Sequence, residues 1–354
     1  MAIKGRNIIV IGTSAGGLQP LDELVGQLPT DLPASLCIVQ HMAPENTGAA
    51  LLQRLSRHKS FESKLATNGE LFKPAKIYIA PADYHLLIKQ KTLLVTKGAR
   101  ENRYRPAIDP MFRSAAVSHG PRVIGVVLSG LLNDGTAGLA AIKKCGGITV
   151  VQNPRDAAYP DMPQAALRSV KIDHCVPVAQ MGQLLELLVH GQPGKATPVP
   201  QDVQTEAEIA ERVLSDVAQV NTLGDQVPYN CPNCGGVLWQ IANKTIHRYR
   251  CHTGHSFTAE SLVASQSEKI EETLWVSLRM LEERKNLLDT MLQTENNART
   301  KASYEERSKD TNVHIERIRA MLVTREPRQS RNTPVKRRSR RVGKVRAPVL
   351  GMAR

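Results

Sequence analysis

The sequence predicts an α/β fold, a doubly wound and mostly parallel sheet, followed by a small zinc-binding module and a helical C-terminal region. Three observations carry this expectation. From residue 7 to about 190, β-branched runs alternate with amphipathic stretches, as strands do when crossover helices join them. Cys231, Cys234, Cys251 and His255 then cluster, whereas Cys37, Cys145 and Cys175 are scattered and read as small core residues. From about Ala259 to Gln293, leucines recur at helical spacing.

Along the chain, the expected strands are Asn7 to Ile11, Leu36 to Gln40, Lys76 to Ile79, Arg122 to Ser129 and Ile148 to Gln152. The last is apolar enough throughout to lie centrally in a parallel sheet. Leu86 to Lys89 and Leu93 to Thr96 read as a hairpin on the same sheet. Pro193, Pro198 and Pro200 mark a linker. The expected divisions are an α/β domain over 1–190, a linker over 191–204, a connecting helix over 205–228, the metal module over 229–258, a helical region over 259–322 and a basic, disordered tail over 323–354. The linker predicts that the module folds independently of the domain before it. In the helical region Leu274, Leu278, Leu281, Leu288 and Leu292 form a seam interrupted by Lys285, and a weaker helix runs through Ile315, Ile318 and Leu322. A helical hairpin and a dimerising coiled coil both fit that pattern.

Composition bounds the function. With 354 residues, 41% hydrophobic and 23% charged, the chain can bury sizeable cores. It has neither an apolar run of membrane-spanning length nor a secretory signal, so a cytoplasmic location is expected. The net charge of +14 resembles that of a nucleic-acid binder, but eleven bases against the single acid Glu326 place +10 of it in Arg325 to Arg354. The module offers no obvious stacking aromatics beyond Trp239 and Tyr249, so nucleic acid is not an expected partner.

The first strand runs into Gly12-Thr13-Ser14-Ala15-Gly16-Gly17. A dinucleotide site would need a different glycine spacing and an acid at the end of the second strand, where Gln40-His41 stands instead. The other use of a sharp strand-to-helix turn is to project a nucleophile, here Ser14, beside helix amides that can serve an oxyanion. His41 and Asp134 fall just past two further strand ends, on the same edge of a parallel sheet. Taken singly, each has an ordinary explanation as a cap, a core residue or a turn. Together they supply the residue types of a nucleophile, a base and an orienting acid.

The segments Ile9 to Gly17, Ile38 to Met42, Tyr104 to Asp109, Gly130 to Gly135 and Met162 to Ala165 resemble, in order, the motifs of the CheB-type chemotaxis methylesterases. The resemblance covers roughly residues 7 to 190. It implies a doubly wound sheet with Ser14 as nucleophile, His41 as base and Asp134 as orienting acid. The implied reaction is hydrolysis of glutamyl methyl esters on a chemoreceptor-like protein, with glutamine deamidation by the same route. No cofactor is implied for that reaction. Arg105 has two readings, a substrate contact and a surface salt bridge. The sequence departs from the family at Ala15, often threonine there, and it begins at the first catalytic strand, so the receiver domain usual in the family is not expected.

Cys231-Pro-Asn-Cys234 and Cys251-His-Thr-Gly-His255 have the spacing of two metal knuckles. Four protein ligands leave no open position, so a structural rather than catalytic zinc is expected. His252 competes for the fourth place, but the spacing favours His255, and related methylesterase proteins with this appendage resemble it there. The rival to an enzyme is a noncatalytic adaptor that binds partners, or a second copy, through the module, the seam and the tail.

Overall fold

The computed structural model describes residues 5–58, 61–213, 216–242 and 246–323. The basic tail expected over 323–354 lies, from residue 324 on, outside the described residues. The described elements are β1 (Ile8–Thr13), α1 (Leu18–Gln27), β2 (Ser35–Gln40), α2 (Ala49–Leu55), β3 (Glu62–Leu65), β4 (Lys76–Ile79), β5 (His85–Ile88), β6 (Leu93–Thr96), α3 (Ile108–His119), β7 (Val123–Val127), α4 (Thr136–Lys144), β8 (Ile148–Gln152), α5 (Asp161–Ser169), β9 (His174–Val176) and α6 (Val178–His190). After them come α7 (Gln201–Arg212), α8 (Val217–Asn221), β10 (Gly224–Asn230), β11 (Val237–Ile241), β12 (Arg248–Cys251), β13 (Ser256–Thr258), α9 (Ala259–Thr294) and α10 (Ala298–Val323).

Seven strands form one sheet in the order β3-β4-β2-β1-β7-β8-β9, and every pairing is parallel. Parallel strands joined by helices are buried on both faces, which explains their near-continuous apolar sequences. In β1 the pleat sends Ile8 and Val10 into one core with Met111, Phe112 and Leu139, and Ile9 and Ile11 into the other with Leu21, Leu24 and Leu185. The strand order departs from β1 in both directions, to β2 and to β7, so the crevice at the carboxyl ends of these strands is a topological switch point.

Two expectations about this region need correction. The hairpin β5–β6 is a sheet of its own, not an extension of the main sheet, and its Leu86, Ile88 and Leu93 pack into the core that α3 lines. Cys175 is exposed on the edge strand β9, whereas Cys37 and Cys145 are buried.

The helical segment expected from Thr205 begins earlier, as α7 at Gln201, and strand β10 is already under way at Gly224. The strands β10 to β13 form an antiparallel meander whose core is Cys231, Leu238, Cys251, Phe257 and Leu262. This module is not independent of the parallel sheet. The chain forms two compact units, Met1–Ile270 and Glu271–Arg354, and the module belongs wholly to the first.

A buried ionic network explains why. Arg248 and Arg250 of β12 meet Glu206 of α7, with Arg248 donating to both Glu206 oxygens at 2.7 and 2.6 Å. Arg250 also reaches Glu101 at 2.9 Å, and Arg113 of α3 reaches the same carboxylate at 2.8 Å. All five side chains are almost fully buried. Removing one partner from such a set leaves a charge uncompensated in a poor solvent for it.

In the second unit the seam is covered within the chain. Leu278 and Leu288 of α9 and Ile315 of α10 are buried. Ser308 donates to Asp289 at 2.6 Å and Arg319 to Glu282 at 2.7 Å, which makes α9 and α10 an antiparallel hairpin.

Candidate active site

The fold brings Ser14, His41 and Asp134 together at the switch point. Ser14 follows β1 immediately, and its amide donates to the Ser129 carbonyl at 2.9 Å, which fixes the turn against the end of β7. Gly16 completes the turn at φ +68°, where a Cβ would lie 2.7 Å from the Tyr159 ring. Gly130 is needed for a different reason. A side chain there would meet Met162 Sδ at 2.1 Å and Ser14 Cβ at 2.8 Å. The Met162 amide donates to the Gly130 carbonyl at 3.0 Å, so α5 begins against the loop that flanks the serine.

His41 follows β2 and spans the other two residues. Its Nδ1 lies 3.1 Å from Ser14 Oγ, and its Nε2 lies 2.7 Å from Asp134 Oδ2. With the proton on Nε2 donated to the carboxylate, Nδ1 is left as an acceptor for the serine hydroxyl. The Tyr104 ring stacks on the imidazole, 3.6 Å between centroids and 13° between planes, so the histidine is held by its edge and by its face.

Asp134 is fully buried and accepts from five donors: His41 at 2.7 Å, the Ile108 amide at 2.7 Å, Asn102 Nδ2 at 2.8 Å, its neighbour's Gly135 amide at 3.0 Å and the Asp109 amide at 3.3 Å. Burial alone would raise its pKa, but hydrogen bonds from His41, Ile108 and Asn102, with the charge of the histidine, hold it below the ordinary carboxylate value. Asp109 behaves oppositely. Burial and the nearby charge of Asp134 push it up to about 7. Two residues before Asp134, Leu132 sits at φ +63°, a conformation costing an ordinary residue about 1–2 kcal/mol.

A cleft of about 340 Å³ opens in front of Ser14 and His41, and Arg100, Arg103 and Arg105 line it with Tyr104. Of the two readings of Arg105, the structure bears out the salt bridge: its Nε and Nη2 bind Asp83 at 2.9 and 2.6 Å, and Nη1 donates to the Gly98 carbonyl at 2.7 Å. Sequence reasoning missed Asn102 as a donor to Asp134 and Tyr104 as the stacking partner of His41. Tyr104 stood inside a recognised motif, but nothing in the motif indicates what the ring faces.

Cys231, Cys234, Cys251 and His255 also converge, with their donor atoms all within 4.8 Å of one another. Cys234 Sγ lies 3.7 Å from Cys251 Sγ, which lies 3.5 Å from His255 Nδ1. Tetrahedral zinc with ordinary bond lengths gives edges of about 3.8 Å between sulfurs and about 3.6 Å between sulfur and nitrogen, so the donor set fits that ion. Both knuckles turn on glycine, Gly235 at φ +75° and Gly254 at φ +110°. The hydrogen bond from Cys231, with His255 beside it, lowers the Cys251 thiol to about 3, toward the thiolate a metal requires. His252, the competitor for the fourth position, packs its ring edge-on to Trp239 instead.

The doubly wound parallel sheet thus carries a serine, a histidine and a carboxylate in series at its switch point, where open α/β folds place their ligand sites. The family model of the CheB methylesterase matches residues 9–185, half of the chain. Curated relatives include a protein-glutamate methylesterase/protein-glutamine glutaminase from Methanosarcina mazei, 34% identical over 192 residues and covering 52% of each chain. Another with that description, from Pyrococcus horikoshii, is 34% identical over 184 residues, covering 51% of this chain and 50% of its own. The chain thus spans about half the length of these two relatives. Among solved structures, the catalytic domain of the Thermotoga maritima CheB methylesterase matches with a TM-score of 0.50 and 33% identity, over 52% of this chain and 98% of that domain. The chain belongs to the CheB methylesterase family.

Proposed function

We propose that this protein hydrolyses glutamyl methyl esters on a receptor-like protein substrate, with Ser14 as nucleophile, His41 as general base and Asp134 as the acid that orients the histidine. The observation that carries the reading is the bridging imidazole, with one nitrogen at the serine and the other at a buried, five-fold hydrogen-bonded carboxylate. A noncatalytic adaptor gives no reason for that investment in one aspartate.

The steps follow from the geometry. Ser14 Oγ attacks the ester carbonyl as its proton passes to His41 Nδ1, and the imidazolium formed is stabilised by Asp134. The amide of Ala15, the residue after the nucleophile, is the donor that such turns use for the oxyanion. Collapse expels methanol, which takes the proton from Nδ1, and leaves a glutamyl ester on Ser14. Water, deprotonated by the same nitrogen, then releases glutamate and restores the serine. With a glutamine substrate the route is the same and ammonia leaves in place of methanol. Of the arginines lining the cleft, Arg105 is paired with Asp83 and Arg103 with Glu268, which leaves Arg100 as the group we propose meets an acidic neighbour of the ester.

We further propose that the Cys231, Cys234, Cys251 and His255 set holds one structural zinc, which would supply folding free energy and no chemistry to the ester. Clustered thiols of this kind suit a reducing compartment, so we place the protein in the cytoplasm. Among the described residues no helix is long and apolar enough to cross a membrane.

The test is to incubate the full chain with a methylated receptor, follow methanol release and locate the restored glutamates by mass spectrometry. The reading predicts equal amounts of methanol and new carboxylates. Loss of methyl groups without methanol, or intact esters after prolonged incubation, would contradict it.

A further inference from the structure

The turn Glu101 to Tyr104 touches both working partners of the serine. Asn102 donates from one Nδ2 to Asp134 Oδ1 and to Asp109 Oδ2, each at 2.8 Å, and Tyr104 stacks on His41. The turn is closed by its own backbone hydrogen bonds, Tyr104 amide to Glu101 carbonyl at 2.9 Å and Glu101 amide to Tyr104 carbonyl at 3.3 Å, but these do not fix where its side chains point. Asn102 and Arg103 lie at φ +49° and +80°, in the left-handed region that asparagine enters readily and arginine at a cost.

The metal module holds Asn102 from outside the turn. The Asn102 amide donates to the Ser256 carbonyl of β13 at 2.8 Å. Asn102 Oδ1 accepts from the Thr258 amide at 3.1 Å and from Ser261 Oγ at 3.3 Å, which fixes the amide plane so that Nδ2 faces the two aspartates. Thr258 Oγ1 also donates to Asn133 Oδ1 at 2.7 Å, and Asn133 Nδ2 reaches Glu260 at 2.7 Å, so the residue beside Asp134 is held from the same side. Thr258 is three residues from His255. Arg250, adjacent to Cys251, donates to the Gly254 carbonyl inside the knuckle at 3.0 Å while holding Glu101.

We infer that Asn102 and Thr258 are positioning residues for Asp134 and that zinc at the four-ligand site sets their positions, which makes the metal module a working part of the hydrolase centre. The inference rests on the esterase reading above. Its physical content is that β13 is the rail on which Asn102 rests, and that β13 keeps its place only while the knuckle at Cys251 and His255 is closed. Small losses of alignment in a bridging histidine cost rate out of proportion to the movement, because the proton transfer demands near-ideal geometry.

The test uses the full chain in four forms: loaded with zinc, stripped of it by a chelator, Thr258→Val and Thr258→Ser. Valine keeps the shape and strand preference of threonine but removes the hydroxyl that holds Asn133. The readouts are zinc content, kcat and KM for methanol release, and the far-downfield proton resonance of His41 Nε2–H hydrogen-bonded to Asp134. Thr258→Val is expected to keep its zinc and its KM, to lose about tenfold or more in kcat, and to shift that resonance, while Thr258→Ser recovers both. Stripping the zinc is expected to abolish the resonance together with the activity. An unchanged resonance and kcat in the stripped protein and in Thr258→Val would overturn the inference, as would a protein that takes up no zinc. A loaded wild type that releases no methanol would instead defeat the esterase reading, and the resonance would still decide the coupling.

Discussion

At the scale of single residues, the imidazole of His41 is mounted with Nδ1 toward Ser14, the proposed nucleophile, and Nε2 toward Asp134, the proposed orienting acid. Either nitrogen serves as the base provided the other carries the proton, and Asp134 enforces that choice. Asp134→Asn should therefore keep the fold, because an amide still fills the site and accepts some of the same donors, yet lose roughly ten-thousandfold in kcat through the wrong tautomer. Steady-state kinetics beside a thermal melt separates the two effects. The three residues were legible in the sequence because each follows a strand whose β-branched run is unmistakable, and a parallel sheet sends all such ends to one edge. Asn102 and Tyr104 were not. Their importance lies in a left-handed turn and in contacts with residues distant in the chain, and no local pattern encodes either.

At the scale of elements, the central strands could be read because strands buried on both faces are continuous apolar runs. The edge strands β3 and β9 could not, since Glu62–Leu65 and His174–Val176 pair on one side only and carry polar residues with no alternation. The linker was read too long for a related reason. Pro200 looks like a breaker, but it caps α7, where its missing amide donor costs nothing. The docking of the module was also hidden, because the charges that make it sit on α3, α7, β12 and the Glu101 turn and meet only in three dimensions. That network makes docking sensitive to acid. The charges of Arg113 and Arg250 outweigh burial and lower the Glu101 pKa from 4.5 to about 2. The unfolded chain then binds more protons than the folded one between those values, so this contribution is complete above about pH 4.5 and is lost as the pH falls through about 2. Fluorescence of the buried Trp239, in a Trp275→Phe background, should report the module loosening in that window, and Glu101→Gln should weaken that dependence without removing it, since the same arginines also hold Glu206 below its ordinary value. Glu101→Gln should also destabilise the first unit, by less than the roughly 3–5 kcal/mol of a fully stranded charge, because Glu206 still faces Arg250 at 3.3 Å and Arg113 at 4.0 Å. The metal makes a separate demand on the same element. Cys234→Ser should lose zinc by elemental analysis and protease resistance at the Cys231–Cys234 knuckle together, since the proposed metal would tie that knuckle to Cys251 and His255.

At the scale of the whole molecule, the parallel sheet and the metal module form one compact unit, and α9 and α10 form a hairpin in the second. The sequence predicts a linker between the parallel sheet and the module, because a proline-rich segment says that a chain is extended locally and nothing about what its ends pack against. The net +10 between Arg325 and Arg354 is expected to act between molecules, by attracting an acidic partner. Deleting that segment should leave turnover of a small ester unchanged but slow association with an acidic protein substrate, and added salt should erase the difference by screening. Stopped-flow binding of intact and truncated protein at low and high salt checks this. The central claim is that one hydroxyl, Ser14 Oγ, performs the attack. The most direct measurement compares methanol release from a methylated receptor by the wild type and by Ser14→Ala, each with its unfolding temperature. The account predicts release at the uncatalysed background with an unchanged melt, because a small turn residue contributes little packing but carries the attacking atom. Turnover by Ser14→Ala within a fewfold of the wild type would contradict it.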